Sequence, residues 1–195
     1  MEKDNKEFIE LDSRAEKMLR NAEYLGCGHN GIVFLLSNNR ILKIFKEKKI
    51  CRKEYEILKR THGSKYFPKV YQHGDYYIVR EFIGGERLDK YIKDNGFKKE
   101  IGKSLLKLID EFEKLKFSKL DIRCKDLYID ENYFIRVIDP KNNYSKKVIY
   151  PRHLMKGLNN LGVLNEFLEY VKANDAEKYR LWSFRMKQYL DYNVK

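Results

Sequence analysis

The sequence predicts an α+β protein in two lobes, a β-rich first part carrying one helix and a helical second part carrying one small hairpin. Three observations lead there. Between residues 22 and 82, short runs rich in β-branched and aromatic residues alternate with turn signals. From residue 86 onward most apolar residues recur at helical spacing. Between the two stretches stands Gly84-Gly85, which reads as a joint.

Taken in order, residues 7–22 are expected to form a short amphipathic helix, with Phe8, Leu11, Ala15, Met18 and Leu19 near helical spacing. Two strands follow, over 22–26 and 31–37, separated by a glycine-rich turn. Ser37-Asn38-Asn39 is a hairpin signal, and residues 41–45 form the next strand. Helical spacing returns over 50–61 and is broken by His62-Gly63. Strands over 70–73 and 76–82 flank the tight turn Gly74-Asp75. Beyond the joint, helices are expected over about 86–94 and 98–116, the second with Leu105, Leu108, Ile109, Phe112 and Leu115 on one face. A hairpin, 127–129 with 133–138, turns at Asp130-Glu131-Asn132. The stretch 151–192 reads as two or three helices divided near Gly162 and Asn174, the last with Trp182, Leu181, Phe184, Met186, Tyr189 and Leu190 as its core stripe.

With 195 residues, 43% hydrophobic and 36% charged, the chain has enough apolar content for a sizeable core, and a domain of this length buries about 70% of its unfolded surface. No apolar run approaches the ~18 residues of a membrane span. The first residues, Met-Glu-Lys-Asp-Asn-Lys-Glu, lack the apolar stretch of a secretory signal. Cys27, Cys51 and Cys124 are odd in number and widely spaced, so neither a disulfide framework nor a zinc site is suggested, and a reduced, cytoplasmic setting is expected. Cys27 and Cys124 suit small packing residues. The net charge of +12 favours polyanions or acidic proteins as partners, although a solvated lysine-rich surface is the readier account of it. No zinc-finger or RNA-binding aromatic signature is present.

Four features carry chemistry. Gly26-Cys27-Gly28-His29-Asn30-Gly31-Ile32-Val33 is a G-x-G-x-x-G-x-V run whose glycines let backbone N–H groups approach phosphate oxygens. A Rossmann loop would lead into a helix; here an apolar β-branched run follows, which favours a strand–loop–strand flap. Lys43 stands in the middle of an apolar strand, where a charge must be paired or aimed into a cleft. Glu54, on the same helix face as Leu58, is the candidate partner, with Glu56 as competitor. Asp121, Asp126 and Asp139 then surround one short hairpin, and three carboxylates so placed could hold Mg²⁺ and orient an attacking hydroxyl. His29 reads as a solvent-facing loop residue.

In this order, over roughly residues 23–140, these features resemble the protein-kinase-like superfamily. The resemblance implies a bilobal protein-kinase-like fold in a single domain, with a five-stranded antiparallel N-lobe (about 1–83, including the N-terminal helix) and a shortened, mainly helical C-lobe (about 84–195). It implies that Gly26, Gly28, Gly31 and Val33 cover the phosphates of ATP, that Lys43 binds the α/β-phosphates and that Glu54 holds Lys43. The run from Arg80 to Glu86 is similar to the hinge, where Glu81 and Ile83 would offer backbone groups to adenine. Asp121 matches the catalytic aspartate, and Arg123 stands where serine/threonine kinases often carry a lysine near the transferred phosphate. Asp126 and Asp139 match the metal-binding positions for Mg²⁺ or Mn²⁺.

The chain also departs from that pattern. Lys119-Leu120 replaces His-Arg before the catalytic aspartate, Asp139-Pro140-Lys141 replaces D-F-G, and no A-P-E follows. The stretch beyond Asp139 is too short for the usual activation segment and substrate-docking helices. This shortening is similar to the minimal atypical kinases of the RIO and KEOPS-associated type and to small bacterial kinases assigned to the serine/threonine class. The expected function is ATP- and Mg/Mn-dependent phosphoryl transfer to a protein serine or threonine hydroxyl, autophosphorylation included. The alternatives are a nucleotide-binding pseudokinase or scaffold, a small-molecule kinase of the aminoglycoside-phosphotransferase type, and an ATPase of an RNA-processing assembly.

Overall fold

The computed structural model describes residues 9–192. The chain divides into two compact units, Met1–Gly63 with Pro68–Phe82, and Ser64–Phe67 with Ile83–Lys195. In the first unit run α1 (Ser13–Leu19), β1 (Glu23–Gly28), β2 (Gly31–Leu36), β3 (Arg40–Phe45), α2 (Lys48–Arg60), β4 (Val70–His73) and β5 (Tyr77–Glu81). The five strands form one sheet in the order β1-β2-β3-β5-β4, antiparallel at every pairing. The middle strand β3 is buried at every position from Ile41 to Phe45 because both of its faces are covered. Leu42 and Ile44 join Ala15, Tyr77 and Val79 in a core closed by Met18 and Leu19 of α1. By strand alternation Ile41, Lys43 and Phe45 face the other way, where α2 lies.

The first helix is shorter than its apolar spacing suggests. Residues 9–12 are not helical, and residues 7 and 8 lie outside the described residues. Asp12 sets the start: its Oδ1 accepts from the N–H groups of Arg14 (3.1 Å) and Ala15 (2.9 Å), which makes it the N-cap. Its Oδ2 accepts from the Tyr77 hydroxyl at 3.0 Å, which ties the cap to β5. The Ala15 N–H above all, with the Tyr77 hydroxyl, holds this carboxyl below its ordinary value.

The glycine run is a strand–turn–strand flap. Gly28 pairs with Gly31 across His29-Asn30, and Gly26 pairs with Val33 after a register shift that leaves Leu25 as an extra residue. Gly31 is required by close approach: a Cβ there would stand 1.9 Å from the Ile44 carbonyl oxygen of β3. Asn38 and Asn39 turn the next hairpin with left-handed φ of 59° and 55°, which asparagine tolerates.

The second unit contains β6 (Glu86–Arg87), α3 (Leu88–Asn95), α4 (Lys99–Lys114), β7 (Leu127–Ile129), β8 (Ile135–Val137), α5 (Arg152–Asn160), α6 (Leu164–Asn174) and α7 (Ala176–Tyr192). Strands β6, β7 and β8 form a small antiparallel sheet, so the expected hairpin has a third, two-residue strand. Helix α4 presents Ile101, Leu105, Leu108, Ile109 and Phe112 to the core, all fully buried. The segment Ser64–Phe67 belongs to this unit: the Tyr66 carbonyl accepts from Val137 N–H at 2.9 Å and the Phe67 carbonyl from Arg136 at 3.1 Å. In α7 only Trp182 and Met186 are buried, and Leu181, Phe184 and Leu190 are exposed, so its core stripe is narrower than its composition suggests. Trp182 stacks on Phe167 of α6. Among the described residues no helix is long and apolar enough to cross a membrane.

Gly31→Ala forces a Cβ into strand backbone that cannot give way, and overpacking of this kind destabilises by about 1–3 kcal/mol. A Cβ at Gly28 meets nothing within 4 Å. Urea unfolding is expected to show the loss for Gly31→Ala and a midpoint close to wild type for Gly28→Ala; equal losses would contradict the packing described.

Candidate active site

In the first unit the lysine of the middle strand has its partner. Lys43 Nζ lies 2.6 Å from Glu54 Oε2, and the two side chains are 9% and 4% exposed. The pairing arises because Lys43 faces α2 while the helix turns Cys51, Glu54, Ile57 and Leu58 inward. The ammonium also lies 4.8 Å from the centre of the Phe45 ring, two residues along on the same face. Glu56 is on the exposed side of α2. Cys51 is buried, and desolvation above all pushes its thiol up to about 12. Cys27 in the flap is exposed, contrary to the expectation of a packing residue. Glu81 ends β5, its N–H donating to the Lys69 carbonyl at 2.8 Å.

In the second unit Asp121, Arg123, Asp126 and Asp139 line one cavity of about 180 Å³, together with Lys119, Asn143 and His153. Two backbone features bring them there. A hydrogen bond from Ile138 N–H to the Asp126 carbonyl (3.0 Å) continues the β7–β8 ladder to its open end, so Asp126 and Asp139 emerge side by side. The chain before Asp121 is clasped to the chain before α5: Leu120 N–H donates to Val148 O (2.8 Å), Val148 N–H to Ser118 O (2.9 Å) and Lys119 N–H to Asn143 O (3.2 Å).

Within the cavity Asp126 and Asp139 each already have a cationic partner. Arg123 grips Asp126 with two bonds, Nε to Oδ2 at 2.6 Å and a terminal nitrogen to Oδ1 at 2.8 Å, and this pairing raises the guanidinium's pKa. Lys141 Nζ is 2.5 Å from Asp139 Oδ2. Lys119 donates to the Lys141 carbonyl at 3.0 Å, and burial lowers its pKa despite the attraction of Asp121 and Asp126. Asp121 has no exposed surface and turns into the start of α5. Its Oδ1 accepts from the N–H groups of His153 (2.9 Å) and Leu154 (3.3 Å), and its Oδ2 pairs with His153 Nδ1. Cys124, beside it in sequence, is buried, and desolvation pushes its thiol up to about 12.

The two carboxylates expected to hold a metal ion, Asp126 and Asp139, share this cavity. Among the described residues no group of three or more His, Cys, Asp or Glu side chains is placed to hold one, because Asp121 is committed to α5. Asp126 and Asp139 remain, and Asn143 adds an oxygen of the kind a hard cation takes. Its side chain is 1% exposed, and its Oδ1 has no hydrogen-bond partner among the described residues. Mg²⁺ commonly uses one or two carboxylates, with phosphate oxygens and water completing its shell, so this donor set fits, provided that Arg123 and Lys141 give way. Sequence reasoning missed Asn143 and His153. No local signal marks either: His153 lies 32 positions from the carboxylate it serves.

Removing one partner of a buried ion pair strands the other charge and destabilises by about 3–5 kcal/mol. Glu54→Ala is expected to lose stability on that scale in urea unfolding, whereas Glu56→Ala, on the exposed face, is expected to stay within about 0.5 kcal/mol. The reverse ranking would place the wrong carboxylate beside Lys43.

No protein-family model matches the sequence. The "Putative serine/threonine-protein kinase YrzF" of Bacillus subtilis (strain 168) is 26% identical over 137 residues, 66% of this chain and 64% of that protein. The chain thus spans less than two thirds of that relative's length. Among solved structures, a complex of WbdD with the kinase inhibitor LY294002 aligns with a TM-score of 0.59 at 18% identity, over 84% of this chain and 43% of that one. A 2.2 Å crystal structure of WbdD aligns with a TM-score of 0.54 at 19% identity, over 74% and 37%. At these identities the likeness is one of fold, and it agrees with the five-stranded antiparallel sheet. On that basis the fold is protein-kinase-like, and the chain resembles the protein-kinase-like superfamily.

Proposed function

We propose that this chain transfers the γ-phosphoryl group of ATP, with Mg²⁺ or Mn²⁺, to the hydroxyl of a protein serine or threonine, its own included. The observation that carries the reading is the cavity that collects Asp121, Arg123, Asp126 and Asp139 in a chain whose other unit holds a buried Lys43–Glu54 pair. YrzF, by its name, is assigned to the serine/threonine kinases, which supports the choice of acceptor. Free cysteines accord with a cytoplasmic setting, and the +12 charge with an acidic protein or RNA partner.

In this reading the flap residues Gly26, Gly28, Gly31 and Val33 lie over the triphosphate and offer backbone N–H groups. Lys43, held by Glu54, places a point charge at the α/β-phosphates, and Glu81 and Ile83 receive the adenine through backbone groups. Asp126 and Asp139 would hold the metal ion, whose positive charge offsets the negative charge developing on the phosphates. Arg123, released from Asp126, is then free to face the transferred phosphoryl group. A second reading, a nucleotide-binding scaffold without transfer, draws on one observation: Asp126 and Asp139 each already carry a cationic partner.

Lys43→Met is expected to reduce ADP formation by about 10²–10³-fold, since it removes charge stabilisation of the transition state. Asp139→Asn removes a metal-bound oxygen charge and is expected to weaken metal-dependent ATP binding itself, as a chelator does in the wild type. ADP release and equilibrium ATP binding, measured on the same preparations, separate the two effects. Undiminished turnover in Lys43→Met would remove the lysine from the site; undiminished ATP binding in excess chelator would remove the metal.

A further inference from the structure

We propose that the side-chain oxygen of Asn143 is a third ligand from this chain to the divalent ion, beside Asp126 and Asp139. The inference rests on the phosphotransfer reading above and adds to its metal site a residue outside the motif run. It starts from an atom with nothing to bond. Asn143 is 1% exposed, and its Oδ1 is buried with no hydrogen-bond donor among the described residues. Roughly nine in ten or more buried polar groups are paired, and a buried acceptor left without a donor destabilises the fold. An oxygen kept in that state calls for a bound group that brings positive charge to it.

Local chain geometry puts the residue where such a group would sit. Asn142 has a left-handed φ of 58°, and Ser145 N–H returns to its carbonyl at 3.3 Å, so the chain turns sharply just after Asp139-Pro140-Lys141. The turn leaves Asn142 exposed and Asn143 inside. The Asn143 carbonyl is held by Lys119 N–H at 3.2 Å and by the Ser118 hydroxyl at 3.3 Å. Those bonds fix its backbone in the wall of the cavity that Asp126 and Asp139 also line.

The chemistry of the cavity selects a cation. The protein's own cations are engaged elsewhere: Arg123 holds Asp126 with two bonds, Lys141 pairs with Asp139, and Lys119 donates to the Lys141 carbonyl. Lys146, the other lysine of the lining, is exposed. His153 directs its Nδ1 to Asp121. An amide oxygen only accepts, so an anion gains nothing from it. Two carboxylates and an amide oxygen form a hard, all-oxygen donor set, which suits Mg²⁺ or Mn²⁺ better than a soft metal. Phosphate oxygens and water are left to complete the octahedral shell. Being neutral, Asn143 adds an oxygen to the site without adding to its negative charge.

The test follows Mn²⁺ binding through the EPR signal of the free ion, in the presence of a non-hydrolysable ATP analogue. It compares the wild type with Asn143→Leu, which fills the space without the oxygen, and Asn143→Asp, which returns one. Asn143→Leu is expected to bind Mn²⁺ at least about tenfold more weakly. Its urea midpoint in the absence of metal is expected to equal or exceed that of the wild type, because an acceptor without a donor has been removed. Asn143→Asp is expected to hold Mn²⁺ at least as tightly as the wild type. If Asn143→Leu fails to fold or unfolds earlier than the wild type, Asn143→Asp decides: binding as tight as wild type or tighter supports the proposal, and weaker binding overturns it. A stable Asn143→Leu that binds Mn²⁺ as the wild type does sinks this inference alone, and leaves the oxygen bonded to water only. A wild type that takes up no Mn²⁺ with the nucleotide analogue sinks the metal-dependent part of the proposed function with it.

Discussion

A carboxylate sealed away from water must be fully bonded or it destabilises the fold, and Asp121 finds its donors only at the start of α5. Much of the second unit follows from that constraint. The chain between β8 and α5 has to return alongside residues 118–120, and the backbone bonds to Asn143 and Val148 are how it does so. That return path carries Lys141 and Asn143 into the cavity beside Asp139 and puts His153 at its rim. Removing the carboxylate would leave two first-turn N–H groups and an imidazole without their acceptor, so the site and the helix stand or fall together.

The first unit solves the same problem with a cation. Lys43 lies on a strand covered on both faces, and Glu54 is the neighbour that neutralises it. In both units a charge is kept inside by a partner from another element, and the pairing fixes the side chain as firmly as apolar packing does. The cavity extends the pattern, pairing Arg123 with Asp126 and Lys141 with Asp139. On the proposed reading, a bound metal ion and nucleotide exchange these internal cations for external ones, which frees Arg123 and Lys141 for the phosphates.

Much of the fold was legible because periodicity is local. The strands of the sheet, the helix carrying Glu54 and the hairpin at Asp130 could be read from spacing and turn residues alone. Lys43 and Glu54 could be matched because a lysine in an apolar strand demands a partner, and the helix register offered one on the inward face. The failures share a cause. The start of α1 depends on Asp12 reaching Tyr77, 65 positions away, and the two-residue β6 exists only because β7 pairs with it. The bonds from His153 to Asp121 could not be foreseen, because His153 belongs to a helix whose placement no local pattern encodes. In α7 the apolar residues outnumber the positions that its neighbours cover, so composition overstated its buried face.

The central claim is that the chain moves a phosphoryl group rather than only holding a nucleotide. Intact-mass analysis of the purified protein after incubation with ATP and Mg²⁺ or Mn²⁺, with no other protein present, tests it most directly. A gain of one or more phosphates, absent without the divalent ion, is the result this account predicts. Tight metal-dependent ATP binding with no phosphate added to the chain or to any offered serine- or threonine-containing protein would contradict it and leave a nucleotide-binding scaffold.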